Sequence, residues 1–381
     1  MKFHDQFEDF ERRLRELLAV SAENPPGVAA AGSGAAPFNA LALELFALQF
    51  EHNGPYRRFC AARGASPQTV FDWSQIPAVP ASAFKELELS CLAPEDRTTV
   101  FHSSGTTEQR PSRHFHNAAS LATYEASLWP WFARHLCARD QELAPSLLLL
   151  TPPPDAAPCS SLVHMFEHIR QQPVWAESAF LGRVTPDGAW MLGLDAATDR
   201  LKRLAAAGRP AVLLGTAFSF VHLLDFLGEH ELRPELPPGS RVMETGGYKG
   251  RSRSLPRSEL HNLITARLGI PPAQIVCEYG MSELSSQAYD GVACAARGNH
   301  ASPVTRRFNF PPWARAQLIS PETGEEVPEG GTGLLRVFDL ANVYSVMAIQ
   351  TEDLGLRRGT DFELAGRAAL AEVRGCSLMA E

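Results

Sequence analysis

The sequence predicts an α/β fold, and two observations support this prediction. First, helical patterns alternate with short apolar runs that are typical of buried strands, such as "SLLLLT" at 146–151 and "AVLLGTAF" at 211–218. Second, the segments beyond residue 300 are shorter and are separated by Pro and Gly, as in "SPETGEEVPEGGTGLLRVFDL" at 320–340, which indicates hairpins. We therefore expect layered α/β subdomains followed by a small β-rich subdomain.

The first predicted element is an amphipathic helix over residues 3–18. Its apolar positions share one helical face, and they are Phe3, Phe7, Phe10, Leu14, Leu17 and Leu18. We expect this face to pack on the body of the protein. The next stretch, "AENPPGVAAAGSGAAPF" at 22–38, is rich in small residues and predicts a surface loop. It lacks the G-x-x-x-x-G-K-[ST] pattern of a phosphate loop.

Composition and charge favour a cytoplasmic enzyme over other classes. The 381 residues are 45% hydrophobic and 20% charged, which is enough apolar material for one large or two smaller cores. A net charge of −8 disfavours nucleic acid as a partner, and no apolar run approaches the roughly 18 residues of a membrane span. The 7 cysteines form no CxxC pair, so we expect reduced thiols rather than disulfides or a thiolate zinc site.

Residues 101–115, "FHSSGTTEQRPSRHF", place small hydroxyl-bearing residues beside cations. A glycine flanked by serines and threonines lets backbone N–H groups converge on one point, and the hydroxyls add donors, which suits phosphate oxygens. Arg110, Arg113 and His114 follow and would offset the phosphate charge. A Ser/Thr/Gly turn that binds no ligand is the alternative.

Four further segments follow this loop in order. They are "ETGGYKGRS" at 244–252, "CEYGMSELSS" at 277–286, "TEDLG" at 351–355 and "LAGRAALAEVRGC" at 364–376. Together with the Ser/Thr/Gly loop, they resemble the signature segments of the adenylate-forming superfamily. Within that superfamily, the chain resembles the acyl-protein synthetases of bacterial luciferase operons.

This resemblance implies a fold, a reaction and a set of partners. The fold would be the large N-terminal domain of an adenylate-forming enzyme without a C-terminal lid domain, with residues 1–365 as the acyl-activating domain and 366–381 as a hinge-like tail. The reaction would activate a fatty or other carboxylic acid with ATP and Mg²⁺ to acyl-AMP, then transfer the acyl group to a protein cysteine. Such a ligase forms a carbon–sulfur bond, and its partner would be an acyl-protein reductase or an acyl carrier.

The resemblance also implies roles for the residues that would bind the nucleotide. The residues that would hold the ATP phosphates are Ser103, Ser104, Gly105, Thr106 and Thr107. Gly246 and Gly247 would line the adenine, and Tyr279 would stack on it or close the acyl pocket. Asp353 would accept hydrogen bonds from the ribose hydroxyls, and Arg367 would bind ribose or phosphate oxygen.

Three residues would serve the chemistry directly. Ser282 stands where a threonine of the family contacts the reacting phosphate or carboxylate, and Glu283 would ligate Mg²⁺, which prefers oxygen ligands. Cys376 would capture the acyl group as a thioester, and Arg374 beside it would favour the thiolate. A tail with an inert thiol is the alternative for Cys376.

Several residues depart from the family pattern. Glu108 replaces a glycine after the threonines, Glu352 replaces the glycine of Thr-Gly-Asp, and Ala369 replaces an aspartate. The superfamily's loop lysine is missing, although Arg110 or Arg113 would supply a similar charge. Two alternatives therefore stay open: a lid-less ligase that loads coenzyme A or a carrier protein, and a catalytically inactive nucleotide-binding scaffold.

The segment "HMFEH" at 164–168 fits the H-x-x-E-H pattern of inverted zinc peptidases. The pattern is short and has no evident third ligand. We favour instead a helix that lines the acyl pocket or packs in the core.

Overall fold

The computed structural model describes residues 3–23, 35–103, 110–137, 143–246, 255–293 and 306–367. Within these ranges the helices are α1 (Phe3–Glu23), α2 (Ala35–His52), α3 (Gly54–Ala61), α4 (Ala83–Glu86), α5 (Ala118–Leu136), α6 (Ser161–Arg170), α7 (Leu194–Ala206), α8 (Ala217–Glu229) and α9 (Arg257–Leu268). The strands are β1 (Val79–Pro80), β2 (Thr99–His102), β3 (Arg113–His116), β4 (Ser146–Leu149), β5 (Glu177–Phe180), β6 (Gly182–Val184), β7 (Trp190–Leu192), β8 (Ala211–Thr216), β9 (Arg241–Thr245), β10 (Ile275–Tyr279), β11 (Ala288–Tyr289), β12 (Ala314–Ile319), β13 (Thr332–Asp339), β14 (Ala348–Arg358) and β15 (Asp361–Arg367).

A six-stranded sheet with the order β11-β10-β9-β8-β4-β5 forms the centre of the fold. All neighbouring strands are parallel except β11, which runs antiparallel to β10. Every residue of β4, β8, β9 and β10 is buried, as expected for parallel strands covered on both faces. The carboxyl ends of these strands meet at one edge, where open α/β sheets bind their ligands.

Helices cover the two faces of this sheet and form two apolar cores. Leu147 and Leu149 belong to the core that includes residues of α1, α2, α5 and α6, whereas Leu148 and Leu150 belong to the core of α7, α8 and α9. Successive strand residues thus point to opposite faces.

A five-stranded sheet forms the β-rich subdomain. β12, β13, β14 and β15 pair in antiparallel order, and β1 adds to β14 in parallel. This sheet confirms the predicted hairpins beyond residue 300. Among the helices that the structure describes, none combines the length and the apolar character of a membrane-spanning segment.

The N-terminal helix is confirmed, because Phe7, Phe10 and Leu14 are fully buried. The surface loop predicted over 22–38 is wrong at its ends: α1 extends to Glu23 and α2 begins at Ala35. Phe38 is buried with its ring edge against Trp73, at 5.6 Å between centroids, and this packing extends the second helix into the predicted loop. Residues 24–34 lie outside the described ranges.

Candidate active site

The turn that follows β10 carries Ser282 and Glu283 at the carboxyl edge of the parallel sheet. Both side chains are buried, and the Ser282 hydroxyl donates to Glu283 Oε2 at 2.9 Å. The Asn342 amide donates to the Glu283 carbonyl at 2.8 Å. The turn is therefore fixed through both its side chains and its backbone.

The β2–β3 hairpin contacts this turn from the other side. Ser112 Oγ lies 3.4 Å from Ser282 Oγ, and the Ser112 N–H donates to Ser103 Oγ at 3.0 Å. Ser103, Ser112 and Ser282 are thus linked in series, through the backbone N–H and the hydroxyl of Ser112. Four other residues predicted to bind phosphate lie outside the described residues, namely Ser104, Gly105, Thr106 and Thr107, as does Glu108.

The cations behind the Ser/Thr/Gly loop differ from the sequence expectation. Burial lowers the pKa of His114 to about 4, so at neutral pH the ring is uncharged, and its Nδ1–H donates to the Ser282 carbonyl at 2.9 Å. His114 therefore positions the turn and supplies no charge. Arg113 lies 3.2 Å from Glu88, and Arg110 lies 3.9 Å from Glu86 on an exposed surface.

A second group of predicted residues meets between the two sheets. The Tyr279 hydroxyl donates to Asp353 Oδ2 at 2.8 Å, and Arg367 Nε donates to Asp353 Oδ1 at 3.1 Å. Tyr279 ends β10, whereas Asp353 and Arg367 are paired neighbours on β14 and β15. Burial raises the pKa of Tyr279 well above its usual value, so the hydroxyl keeps its proton.

Gly246 directly follows β9 at the same edge. A Cβ placed on it would have no atom of the described structure within 4 Å, so this backbone faces open space that a ligand can enter. Gly247 lies outside the described residues, as do Ala369, Arg374 and Cys376.

A buried aspartate that sequence reasoning missed holds the far end of the site turn. Asp339 is fully buried and accepts hydrogen bonds from Ser285 N at 2.9 Å, Ser286 Oγ at 2.7 Å and Ala341 N at 3.0 Å. Asn342 accepts from Ser285 Oγ at 2.7 Å. The signal in the sequence was the pair of polar residues in "FDLANVYS", at the end of an apolar strand pattern.

A second missed residue is Glu278, which is buried inside β10. Burial raises the pKa of Glu278 to about 7, although a hydrogen bond from Thr245 opposes the shift. A charged residue inside the apolar pattern "QIVCEYG" was the available signal.

The "HMFEH" segment forms part of α6 and packs against α5. His164 Nε2 lies 3.0 Å and His168 Nδ1 lies 3.6 Å from the carboxylate oxygens of Glu125. The apolar side of α6 is buried through Val163 and Phe166. Over the ranges that the structure describes, no group of three or more His, Cys, Asp or Glu residues could hold a metal ion.

Comparisons with known proteins point to one family and one fold. The family described as "Acyl-protein synthetase, LuxE" matches residues 177–381. The long-chain-fatty-acid–luciferin-component ligase of Vibrio harveyi is 24% identical over 346 residues, which cover 86% of this chain and 83% of that protein. The ligase of the same name from Aliivibrio fischeri is 23% identical over 362 residues, which cover 89% and 86%.

Among solved structures, 2-hydroxyisobutyryl-CoA ligase in the postadenylation state with 2-HIB-AMP has a TM-score of 0.62 at 15% identity, over 90% of this chain and 73% of that chain. Its open conformation with 2-HIB-AMP and CoA has a TM-score of 0.60 at 15% identity, over 90% and 75%. The predicted fold class is confirmed, because the mixed α/β architecture matches that of adenylate-forming ligases.

Proposed function

The chain belongs to the acyl-protein synthetase family LuxE, and from this premise we propose that it activates a fatty or other carboxylic acid with ATP and transfers the acyl group to a cysteine thiol. One observation carries the proposal. Segments far apart in the sequence, around Ser112, Ser282 and Asp353, converge at the carboxyl edge of the parallel sheet. Family membership supports a ligase, and the fold of its relatives supports the use of ATP.

In the first step the acid's carboxylate oxygen attacks the α-phosphorus of ATP. An oxygen–phosphorus bond forms, the bond to the pyrophosphate oxygen breaks, and acyl-AMP and pyrophosphate result. The protein must align two anions and offset their charge, which requires no proton transfer. The Ser103 hydroxyl accepts from the Ser112 N–H and keeps its own proton, so we expect it to donate to the reacting oxygens. The Ser282 proton is donated to Glu283, and His114 holds the backbone of Ser282 in place.

We assign ribose binding to Tyr279, Asp353 and Arg367, which contact one another. Asp353 uses one lone pair of each oxygen on its two protein donors, and a carboxylate has further lone pairs for the ribose hydroxyls. The Arg367 side chain is 80% exposed, so its remaining N–H groups can reach ribose or phosphate oxygen. Gly246 leaves room for the adenine.

Glu283 fits the proposed Mg²⁺ site by its chemistry. Its carboxylate is a hard oxygen donor, and within the described residues no cationic side chain lies within ion-pairing distance of it. When bound there, Mg²⁺ would neutralise phosphate charge. Ser282 orients the carboxylate by donating to Oε2.

In the second step a thiol sulfur attacks the acyl carbonyl carbon of acyl-AMP. The carbon–sulfur bond forms, the carbon–oxygen bond to AMP breaks, and the thiol proton passes to solvent. We assign the thiol to Cys376, within a tail over 366–381 that would carry it to the adenylate. The first two residues of that tail, Gly366 and Arg367, complete β15. An acyl-protein reductase or acyl carrier would then accept the acyl group, in the cytoplasm, where thiols stay reduced.

Two assays test the proposal in sequence. Acid-dependent exchange of pyrophosphate into ATP measures adenylation, and its absence with every acid would leave only the nucleotide-binding scaffold. Radiolabelled fatty acid with ATP should then give a hydroxylamine-sensitive label on the protein that Cys376→Ala abolishes and the matched control Cys159→Ala retains. Label that persists in Cys376→Ala would remove Cys376 from the reaction and favour transfer to coenzyme A or a carrier.

A further inference from the structure

A carboxylate lies beneath the candidate site with few partners. Glu278 points to the same face of the parallel sheet as Thr245 on β9 and Tyr289 on β11, which are its cross-strand neighbours. It is 5% exposed, and within the described residues no cationic side chain forms an ion pair with it. Buried carboxylates are normally paired, so this arrangement requires an explanation.

The Glu278 carboxylate reaches the backbone of the site turn. A Cβ placed on Gly280 would overlap Glu278 Oε1 and would lie 3.6 Å from Gln287 Cγ. Gly280 is exposed and lies two residues before Ser282. The carboxylate and the Gln287 side chain therefore converge directly below the start of the turn that we assign to adenylation.

Two buried tyrosines complete this group. The Gln287 amide lies 3.4 Å from the Tyr124 hydroxyl, and the Tyr289 hydroxyl is buried with no hydrogen-bond partner among the described residues. Both tyrosines are less than 3% exposed. We call Glu278, Gln287, Tyr124 and Tyr289 the polar floor.

The polar floor differs from the lining that a plain alkyl chain requires. An alkyl chain packed on it would leave the Tyr289 hydroxyl without a partner in the described structure and the Glu278 carboxylate with the hydrogen bond from Thr245 as its one side-chain partner there, and under-satisfied buried polar groups are unfavourable. A hydrogen-bond donor would satisfy them. Since burial raises the pKa of Glu278 to about 7, the carboxyl group can accept from a hydroxyl or, once ionised, pair with an ammonium group.

We propose that the polar floor receives a hydroxyl or amino group on the substrate, so that the preferred acid carries such a donor within the first few carbons from its carboxyl group. This inference rests on the proposed function, because it specifies the acid bound at the same site. The position of the donor follows from the contact between Glu278 and Gly280, next to the turn that carries Ser282.

Acids of one chain length test the substrate class by pyrophosphate exchange: octanoate, β-hydroxyoctanoate, β-aminooctanoate and ω-hydroxyoctanoate. The wild type should favour a β-substituted acid over octanoate by at least about tenfold in kcat/KM, because a site built to bind a donor rejects the analogue that lacks it. Glu278→Leu should abolish this preference. Glu278→Gln, which keeps an acceptor oxygen, should retain it for the hydroxy acid and weaken it for the amino acid.

Calorimetry with the same acids measures their binding directly, so it tests the polar floor independently of catalysis. β-Hydroxyoctanoate or β-aminooctanoate should bind the wild type at least about tenfold more tightly than it binds Glu278→Leu. Tyr289→Phe removes a hydroxyl without a partner in the described structure, so it should fold normally and should also reduce the preference. Equal binding by all variants, or a wild-type preference for octanoate, would overturn the polar floor. If no acid supports pyrophosphate exchange, the proposed function is wrong, but the polar floor is still tested by the calorimetric binding measurements.

Discussion

Replacement of Asn342 by alanine should weaken both the fold and the site. Its side chain is 1% exposed and makes three hydrogen bonds: to the Glu283 carbonyl at 2.8 Å, to the Val346 carbonyl at 3.0 Å and from Ser285 Oγ at 2.7 Å. At about 1 kcal/mol for each bond, Asn342→Ala should lower the free energy of unfolding by about 3 kcal/mol. Urea unfolding measures this change.

Gln49→Ala provides a matched control. Gln49 is also fully buried and makes three hydrogen bonds to the same segment, with Asn342 O, Val343 O and Met347 N, but it does not contact the turn of Glu283. We expect a similar loss of stability in both variants. Only Asn342→Ala should also lower kcat/KM for pyrophosphate exchange, by about 10- to 100-fold, because it releases the backbone of Glu283. Equal loss of exchange in the two variants would refute this reasoning.

Two further predictions concern acid stability and ribose binding. Burial lowers the pKa of His114 and His135 to about 4, from 6.5. As the pH falls, the unfolded chain therefore binds protons before the folded protein does. The free energy of unfolding should keep its full value above pH 6.5 and should fall by about 3 kcal/mol per histidine as the pH approaches 4. Urea unfolding at several pH values measures this loss, and a flat profile would contradict it. Asp353→Asn should raise the KM for ATP by about 10- to 100-fold through weaker bonds to the ribose. The melting temperature should change little, because the asparagine oxygen still accepts from Tyr279 and the lost ion pair involves Arg367, whose side chain is 80% exposed. An unchanged KM would remove Asp353 from the nucleotide site.

The sequence alone was sufficient to predict the features that depend on the pattern of residues close together in the chain. Apolar runs predicted β4 and β8 because a buried parallel strand is apolar on both faces, and the N-terminal helix followed from its spacing. The structure brings Tyr279, Asp353 and Arg367 into contact, although their roles remain predictions.

Features that depend on tertiary packing could not be predicted in this way. The charge of His114 depends on its burial against Ser282, which lies far away along the chain. The anchoring of the site turn by Asp339 and Asn342 depends on hydrogen bonds across more than 50 positions. Residue type alone indicated that these side chains were polar but not which backbone they would hold.

The hydrogen bond between Tyr279 and Asp353 connects the two main sheets, because Tyr279 belongs to the mostly parallel sheet and Asp353 to the mostly antiparallel sheet. A nucleotide that contacts both residues would bridge the two sheets. Its binding free energy would then add to the cohesion between the sheets by mass action. The contact between the two sheets would then be more stable when a nucleotide is bound and less stable when ATP is depleted.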